Sequence, residues 1–174
     1  IITFSPVASV KKNLKAYRDQ CEVYGYECPP DQLGWAMPCY VAETDEIARK
    51  DAAPHIESLF NRFIMSPAQY KLPPGYSSLN SYKAVMASKY AVRKNYLTCE
   101  ALIENGMFLC GSAATVAEKL EEYQKEMGFG NIAPMLQFGT LPPELTEKNL
   151  RIFASEVIPK VRHLGVTPAT VAAE

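Results

Sequence analysis

No charged side chain interrupts the segment from Leu33 to Val41. One alternating set there is Leu33, Trp35, Met37, Cys39 and Val41; the other is Gly34, Ala36, Pro38 and Tyr40. Neither set is suited to water, so the segment reads as a strand buried on both faces, the environment of a parallel sheet covered by helices. Pro38 has no backbone N–H and argues against an unbroken central ladder. The rest of the chain has to supply the cover.

Amphipathic segments on both sides can do so. Val10, Leu14, Tyr17, Cys21 and Tyr24 recur at helical spacing, with Lys11, Lys12, Lys15, Arg18 and Asp19 on the opposite face. That helix ends near Gly25, before the loop Cys28-Pro29-Pro30. Thr44 is placed to cap a second helix, with Asp45 and Glu46 in its positive first turn. This helix runs to about Phe63, and Pro54 is expected to kink or interrupt it. Ser112 caps a third, in which Val116, Leu120, Tyr123 and Met127 share a face and which Gly128 and Gly130 stop. Pro143 lies in the first turn of a last helix reaching about Arg162. Ile1 to Phe4 and Asn131 to Phe138 are further strand candidates. Strands alternating with helices predict an α/β fold of parallel βαβ units, with no repeat and no dividing linker. Residues 165 to 174 are small and Ala-rich and read as a flexible tail.

Residues 65 to 95 differ in character. Pro67, Pro73, Pro74 and Gly75 break regular structure, and Tyr70, Tyr76, Tyr82, Tyr90 and Tyr96 are half of the chain's ten tyrosines. Tyr82, Val85, Met86, Tyr90 and Arg93 lie near helical spacing, so the reading is an irregular excursion followed by one helix. Long excursions in compact domains are often lids or binding loops, and the tyrosines either serve such a role or pack a long connection.

Composition narrows the function classes. With 174 residues, 48% apolar and 21% charged, the chain has ordinary globular composition and enough length for one cored domain. Eighteen basic against 19 acidic residues leave a net charge of −1, which excludes a strongly basic nucleic-acid module. Apolar runs fall short of the ~20 residues of a membrane span, and no signal-peptide pattern is present. The cysteines, Cys21, Cys28, Cys39, Cys99 and Cys110, form no C-x-x-C pair, and His55 and His163 lie near none of them in sequence. That argues against a metal site and a disulfide framework, and for reduced thiols in a cytoplasmic protein. The chain opens without Met inside a β-like run, Ile1-Ile2-Thr3-Phe4, as expected of a fragment or a processed product.

Three segments carry a family resemblance. Tyr40-Val41-Ala42-Glu43-Thr44-Asp45-Glu46-Ile47-Ala48-Arg49 resembles the VAETDEEAR segment of bacterial luciferase-like flavin monooxygenases. Gly111-Ser112-Ala113-Ala114-Thr115-Val116-Ala117-Glu118-Lys119-Leu120 resembles their GSPETVAEKL helix start. Phe138-Gly139-Thr140-Leu141-Pro142, followed by Phe153-Ala154-Ser155-Glu156-Val157-Ile158-Pro159, is similar to their FGGLP and FAREVLP segments. The resemblance implies a partial (β/α)8 TIM barrel over residues 1 to 164: the last three βα units, with strands six, seven and eight at Ile1–Phe4, Leu33–Val41 and Asn131–Phe138. Residues 65 to 95 would be an insertion between the last two strands that can form a flap. It also implies a parent enzyme that uses reduced FMN and O2 to oxygenate a small organic substrate, or a variant of the same fold that uses the deazaflavin F420. The family's main phosphate-binding residues precede the sixth strand, so this chain alone is expected to bind no cofactor and to be inactive.

Three strands cannot close a barrel, so two open edges are expected to be covered by the missing N-terminal part or by a self-associated copy. A noncatalytic accessory or association subunit is the competing reading. Barrel sites lie at the C-terminal ends of strands. There, Ser5 either donates to a ligand or starts the turn before Pro6, and Gln137 either meets a flavin edge or a substrate or is a capped core amide. Glu43 is a base candidate or a helix-dipole partner, and Gly111-Ser112 a weak phosphate seat. Tyr70, Tyr76 and Arg93 are the substrate or flap candidates, among neighbouring cations Arg62, Lys71, Lys83 and Lys94 that otherwise form a solvated face. His55 reads as structural.

Overall fold

The uncharged segment is strand β2, Gly34–Ala42, the middle of a wholly parallel sheet. The structure is a computed structural model, and it describes residues 1–64, 75, 77–87 and 96–166. In chain order the elements are β1 (Ile2–Thr3), α1 (Val7–Val23), a 3-10 turn (Pro30–Gln32), β2, and α2 (Asp45–Ser58) running into a π-helical turn (Leu59–Phe63). Then come α3 (Leu79–Ala87), α4 (Cys99–Glu104), β3 (Leu109–Ser112), α5 (Ala113–Met127) and β4 (Asn131–Met135). The chain closes with α6 (Pro143–Ile152), a second π-helical turn (Phe153–Val157) and α7 (Ile158–Val161).

Register fixes the strand order. Ile2 and Thr3 of β1 align with Trp35 and Ala36, while β4 aligns from Asn131 opposite Gly34 to Met135 opposite Pro38. Two strands paired with the same stretch of β2 must lie on its opposite edges. The three strands expected from the sequence are therefore adjacent and parallel. β3 joins further along, with Cys39 opposite Leu109 and Ala42 opposite Ser112.

The alternation in β2 sorts the core. Trp35, Met37, Cys39 and Val41 pack with Val10 and Leu14 of α1, Val116 and Leu120 of α5, and Phe153 and Val157. Tyr40 and Ala42 pack on the other side with Ala48, Ala52 and Ile56 of α2, Leu102 of α4, and Phe138. Both faces are covered there, which is why neither set carries a charge. Nearer the start of the strands the second face is open: Ala36 is half-buried, and its aligned neighbours Thr3 and Ala133 are exposed. Arg18 donates to the Met127 carbonyl and Lys11 pairs with Glu126, which joins α1 to α5.

Several expectations are corrected. The segment before Ser112 is a strand, not merely a helix lead-in, and α4 was not anticipated. The last strand stops at Met135 rather than Phe138. Pro54 does not interrupt α2, since it sits on an exposed face where water can serve the carbonyl that loses its donor. The break comes later, as the π-helical turn at Leu59–Phe63. The caps follow expectation: Thr44 Oγ1 accepts from Ile47 N–H at 3.2 Å, Ser112 Oγ from Thr115 N–H at 3.3 Å, and Gly128 ends α5 with φ of 61°. Helix α3 lies in the excursion and includes Tyr82, Val85 and Met86.

The two flanks of residues 65–95 are tied together. Asn61 accepts from Leu97 N–H at 2.9 Å and donates to the Leu97 carbonyl at 2.9 Å. The Glu57 carboxylate accepts from Tyr96 O–H at 3.0 Å and Cys99 N–H at 2.9 Å. Of the tail expected at 165–174, only Gly165 and Val166 lie among the described residues.

Candidate functional site

Parallel sheets bind ligands beyond the carboxyl ends of their strands. Here that rim is made of Phe4-Ser5 after β1, Glu43-Thr44 after β2, Ser112 at the end of β3, and Leu136-Gln137-Phe138 after β4. Ser5 Oγ donates to the Thr3 carbonyl at 3.0 Å, a local turn bond that still leaves the oxygen able to accept. Phe4, just before it, has φ of 46°, in the left-handed region that a non-glycine residue rarely enters. Its ring meets Phe60 edge-on at 6.0 Å. Gln137 is exposed. Phe138 beside it is buried against Tyr40 and Phe108, at 6.4 and 5.4 Å. Tyr70, Tyr76 and Arg93 lie outside the described residues, as do Lys71 and Lys94. Arg62 lies 6.0 Å over the Phe63 ring.

The acidic candidate is paired. Glu43 meets Lys148 Nζ at 2.8 Å, and that contact holds its carboxyl below the usual range, which disfavours a base role at neutral pH. Lys148 also reaches Asp51 at 3.6 Å, and Asp51 accepts from the Tyr40 hydroxyl at 3.3 Å. Burial, followed by the charge of Asp51, pushes the Tyr40 phenol up, so it remains protonated. The cluster, one cation between two carboxylates, is a strut that ties β2, α2 and α6 together. Beside Lys148, the fully buried Asn149 accepts from Val41 N–H at 2.8 Å. It also donates to the carbonyls of Cys39 and Leu136, at 2.8 and 2.9 Å. It occupies the edge of β2 beyond the point where β4 stops. His55 Nδ1 bonds Thr140 Oγ1 at 2.8 Å, a structural tie between α2 and the loop after β4.

The Gly-Ser helix start is already filled. Asp45 Oδ1 accepts from Ser112 N–H at 2.6 Å, and Oδ2 from Thr115 Oγ1 at 3.1 Å. A Cβ on Gly111 would approach Asp45 Oδ1 to 2.7 Å, so the glycine exists to admit this carboxylate. The Ser112 amide bond, more than any other cause, holds the Asp45 carboxyl low. A phosphate at this seat would have to displace a resident anion, so these residues do not fit a flavin phosphate. Among the described residues no cluster of His, Cys, Asp and Glu fits a metal ion, and no helix is long and apolar enough to cross a membrane. Asp51, Lys148, Asn149 and the reach of Asp45 to Ser112 were not found from sequence, because each depends on elements brought together only by the fold.

The chain shares its fold with monooxygenases. It matches monooxygenase RslO1 from Streptomyces bottropensis with a TM-score of 0.60 at 18% identity, over 89% of this chain and 39% of that one. It matches the oxygenating constituent of 3,6-diketocamphane monooxygenase from the CAM plasmid of Pseudomonas putida, a type II Baeyer-Villiger monooxygenase solved with FMN. There the TM-score is 0.61 at 20% identity, over 90% of this chain and 41% of that one. The chain thus spans about two-fifths of the solved structures it matches. No family model matches the sequence, and no curated protein matches it. Identities this low show the architecture, a parallel α/β sheet like those of FMN-dependent monooxygenases, and not the chemistry.

Proposed function

We propose that the chain is the C-terminal portion of a luciferase-like flavin monooxygenase, holding the last three βα units of a (β/α)8 barrel. The observation that carries this reading is the match of 90% of the chain to 41% of an FMN-bound monooxygenase. Adjacent parallel strands β1, β2 and β4 support it, as does the uncovered face at Thr3, Ala36 and Ala133, which would turn inward in a closed barrel. The parent protein would use reduced FMN and O2 on a small organic substrate; F420 is the alternative cofactor on this fold. The cofactor supplies the redox chemistry, while the protein orients it and excludes water. Ser5 and Gln137 are assigned to the cofactor side of the rim, and Tyr70, Tyr76 and Arg93 to the substrate side.

With Asp45 in the Gly-Ser seat, the phosphate would be held by other residues, and the described segment is read as not catalytic alone. Its partner is the N-terminal remainder of the barrel or a second copy. Among the described residues, β1 and β4 each pair with β2 alone, leaving an edge ready for a strand. Beside β4 runs a groove of about 510 Å³ lined by Phe129, Ile132, Leu136, Phe153, Ile158 and Val161. An amphipathic helix following an added strand would fill it. The occupied anion seat favours a second reading, a noncatalytic association subunit.

Intact mass under native and denaturing conditions, together with visible absorbance after FMN addition and gel filtration, tests these readings. The expected result is an assembly larger than 19.3 kDa that retains flavin only when a second polypeptide is present. Colourless self-assembly of the chain alone supports the association subunit. A monomer that retains FMN by itself overturns both.

A further inference from the structure

A recess of about 140 Å³ lies between α2, α4, β3 and α5, and it shares no residue with the groove beside β4. Its walls are apolar: Ile103 of α4, Phe108 and Leu109 where β3 begins, and Val116 of α5. Phe108, Leu109 and Val116 are buried, and Ile103 is half-buried. Two cations line the same recess, Arg49 of α2 and Lys119 of α5. The Arg49 guanidinium makes no hydrogen bond or ion pair among the described residues. Lys119 gives one of its three donors to Glu122, at 2.6 Å. Asp45, the carboxylate that reaches Thr115 in the lining, is already engaged by Ser112 N–H at 2.6 Å and Thr115 O–H at 3.1 Å. Cys110 and Tyr123 also line the recess, and burial pushes the thiol and the phenol up, so neither adds negative charge. Apolar walls and an unengaged guanidinium therefore meet in one small space.

We propose that this recess binds a small aromatic carboxylate, its ring among Ile103, Phe108 and Val116 and its carboxylate on Arg49. Volume sets the ring. An apolar cavity of about 150 Å³ accepts benzene, so a recess of about 140 Å³ takes a single ring and is too small for a fused system such as a flavin. Charge sets the carboxylate. A guanidinium pairs a planar carboxylate through two parallel N–H bonds, and apolar surroundings strengthen that pair. Arg49 has no resident anion to give up, in contrast to the Gly-Ser seat that Asp45 fills. Lys119 adds a second cation with donors left over after Glu122. Phe108 offers the ring an aromatic neighbour. A neutral ring would gain the walls and leave Arg49 unanswered, and a bare anion would gain Arg49 and lose the walls. The site is independent of the flavin reading, since it uses none of the rim residues.

The test titrates the full chain with benzoate and with benzyl alcohol, its neutral counterpart, and follows backbone amide shifts by heteronuclear NMR. Benzoate should shift the amides of Leu109, Cys110 and Val116 saturably, and benzyl alcohol should bind at least about tenfold more weakly. Arg49→Gln, at an exposed position, should bring benzoate down to the level of the alcohol and leave the alcohol unchanged. Ile103→Trp should block both ligands, and circular dichroism checks that each variant is folded. If Ile103→Trp unfolds, the Arg49→Gln comparison decides alone. Shifts centred on groove residues such as Ile132 and Phe153, equal affinity for the two ligands, benzoate binding that survives Arg49→Gln, or no shift at all each overturns the proposal.

Discussion

Asn149, itself fully buried, satisfies three backbone groups with one carboxamide. Asn149→Ala orphans the Val41 N–H and two carbonyls, and urea unfolding should show a loss of about 2–4 kcal/mol. Gly139→Ala should cost more than ~1 kcal/mol in the same measurement: φ is 55°, and an added Cβ would run into the His55 carbonyl. The two residues differ in how far the sequence revealed them. Gly139 follows Phe138 at the end of a strand-like run, where a turn glycine is unsurprising. Asn149 sits between Lys148 and Leu150 in an amphipathic helix and looks like any surface amide. Its partners on β2 lie more than a hundred residues away, so no local pattern marks it.

Helix starts are where local chemistry is most legible, and Thr44 and Ser112 both cap as their residue types predict. Asp45 goes further, since the first turn of α2 also neutralises the first turn of α5. Its lowered carboxyl gives the pH dependence a definite sign. The stability it contributes is fully present above the unfolded value of about 3.9 and is lost as pH falls through the lower folded value. Asp45→Asn should therefore destabilise the chain by roughly 1 kcal/mol at neutral pH, and the difference from wild type should shrink in acid. Urea midpoints across an acid titration check this, and a constant difference would assign the effect to packing. β3 escaped the sequence reading because it is short, ends in Gly111-Ser112 and abuts α5, so its residues look like a helix lead-in. The π-helical turns escaped it because helical periodicity barely registers one extra residue per turn.

For the whole molecule, the uncharged β2 foretold a parallel sheet and the alternating pattern foretold its layers, but both faces are covered only toward Tyr40 and Ala42, and the open face at Ala36 was not foreseen. The described strands form one parallel sheet, and the proposed barrel would need further strands beside β1 and β4. If the groove beside β4 receives a partner, Ile158→Asp should weaken that association at least tenfold, or about 1.4 kcal/mol. The far-ultraviolet circular dichroism should be unchanged, because Ile158 is 42% exposed. Native mass spectrometry over a dilution series reads the effect. The clasp of Glu57 and Asn61 on residues 96–99 carries a different lesson. The clasp holds the two ends of residues 65–95 beside each other with side chains from outside that stretch, so the closure of the excursion is written in α2 with its π-helical turn and in residues 96–99.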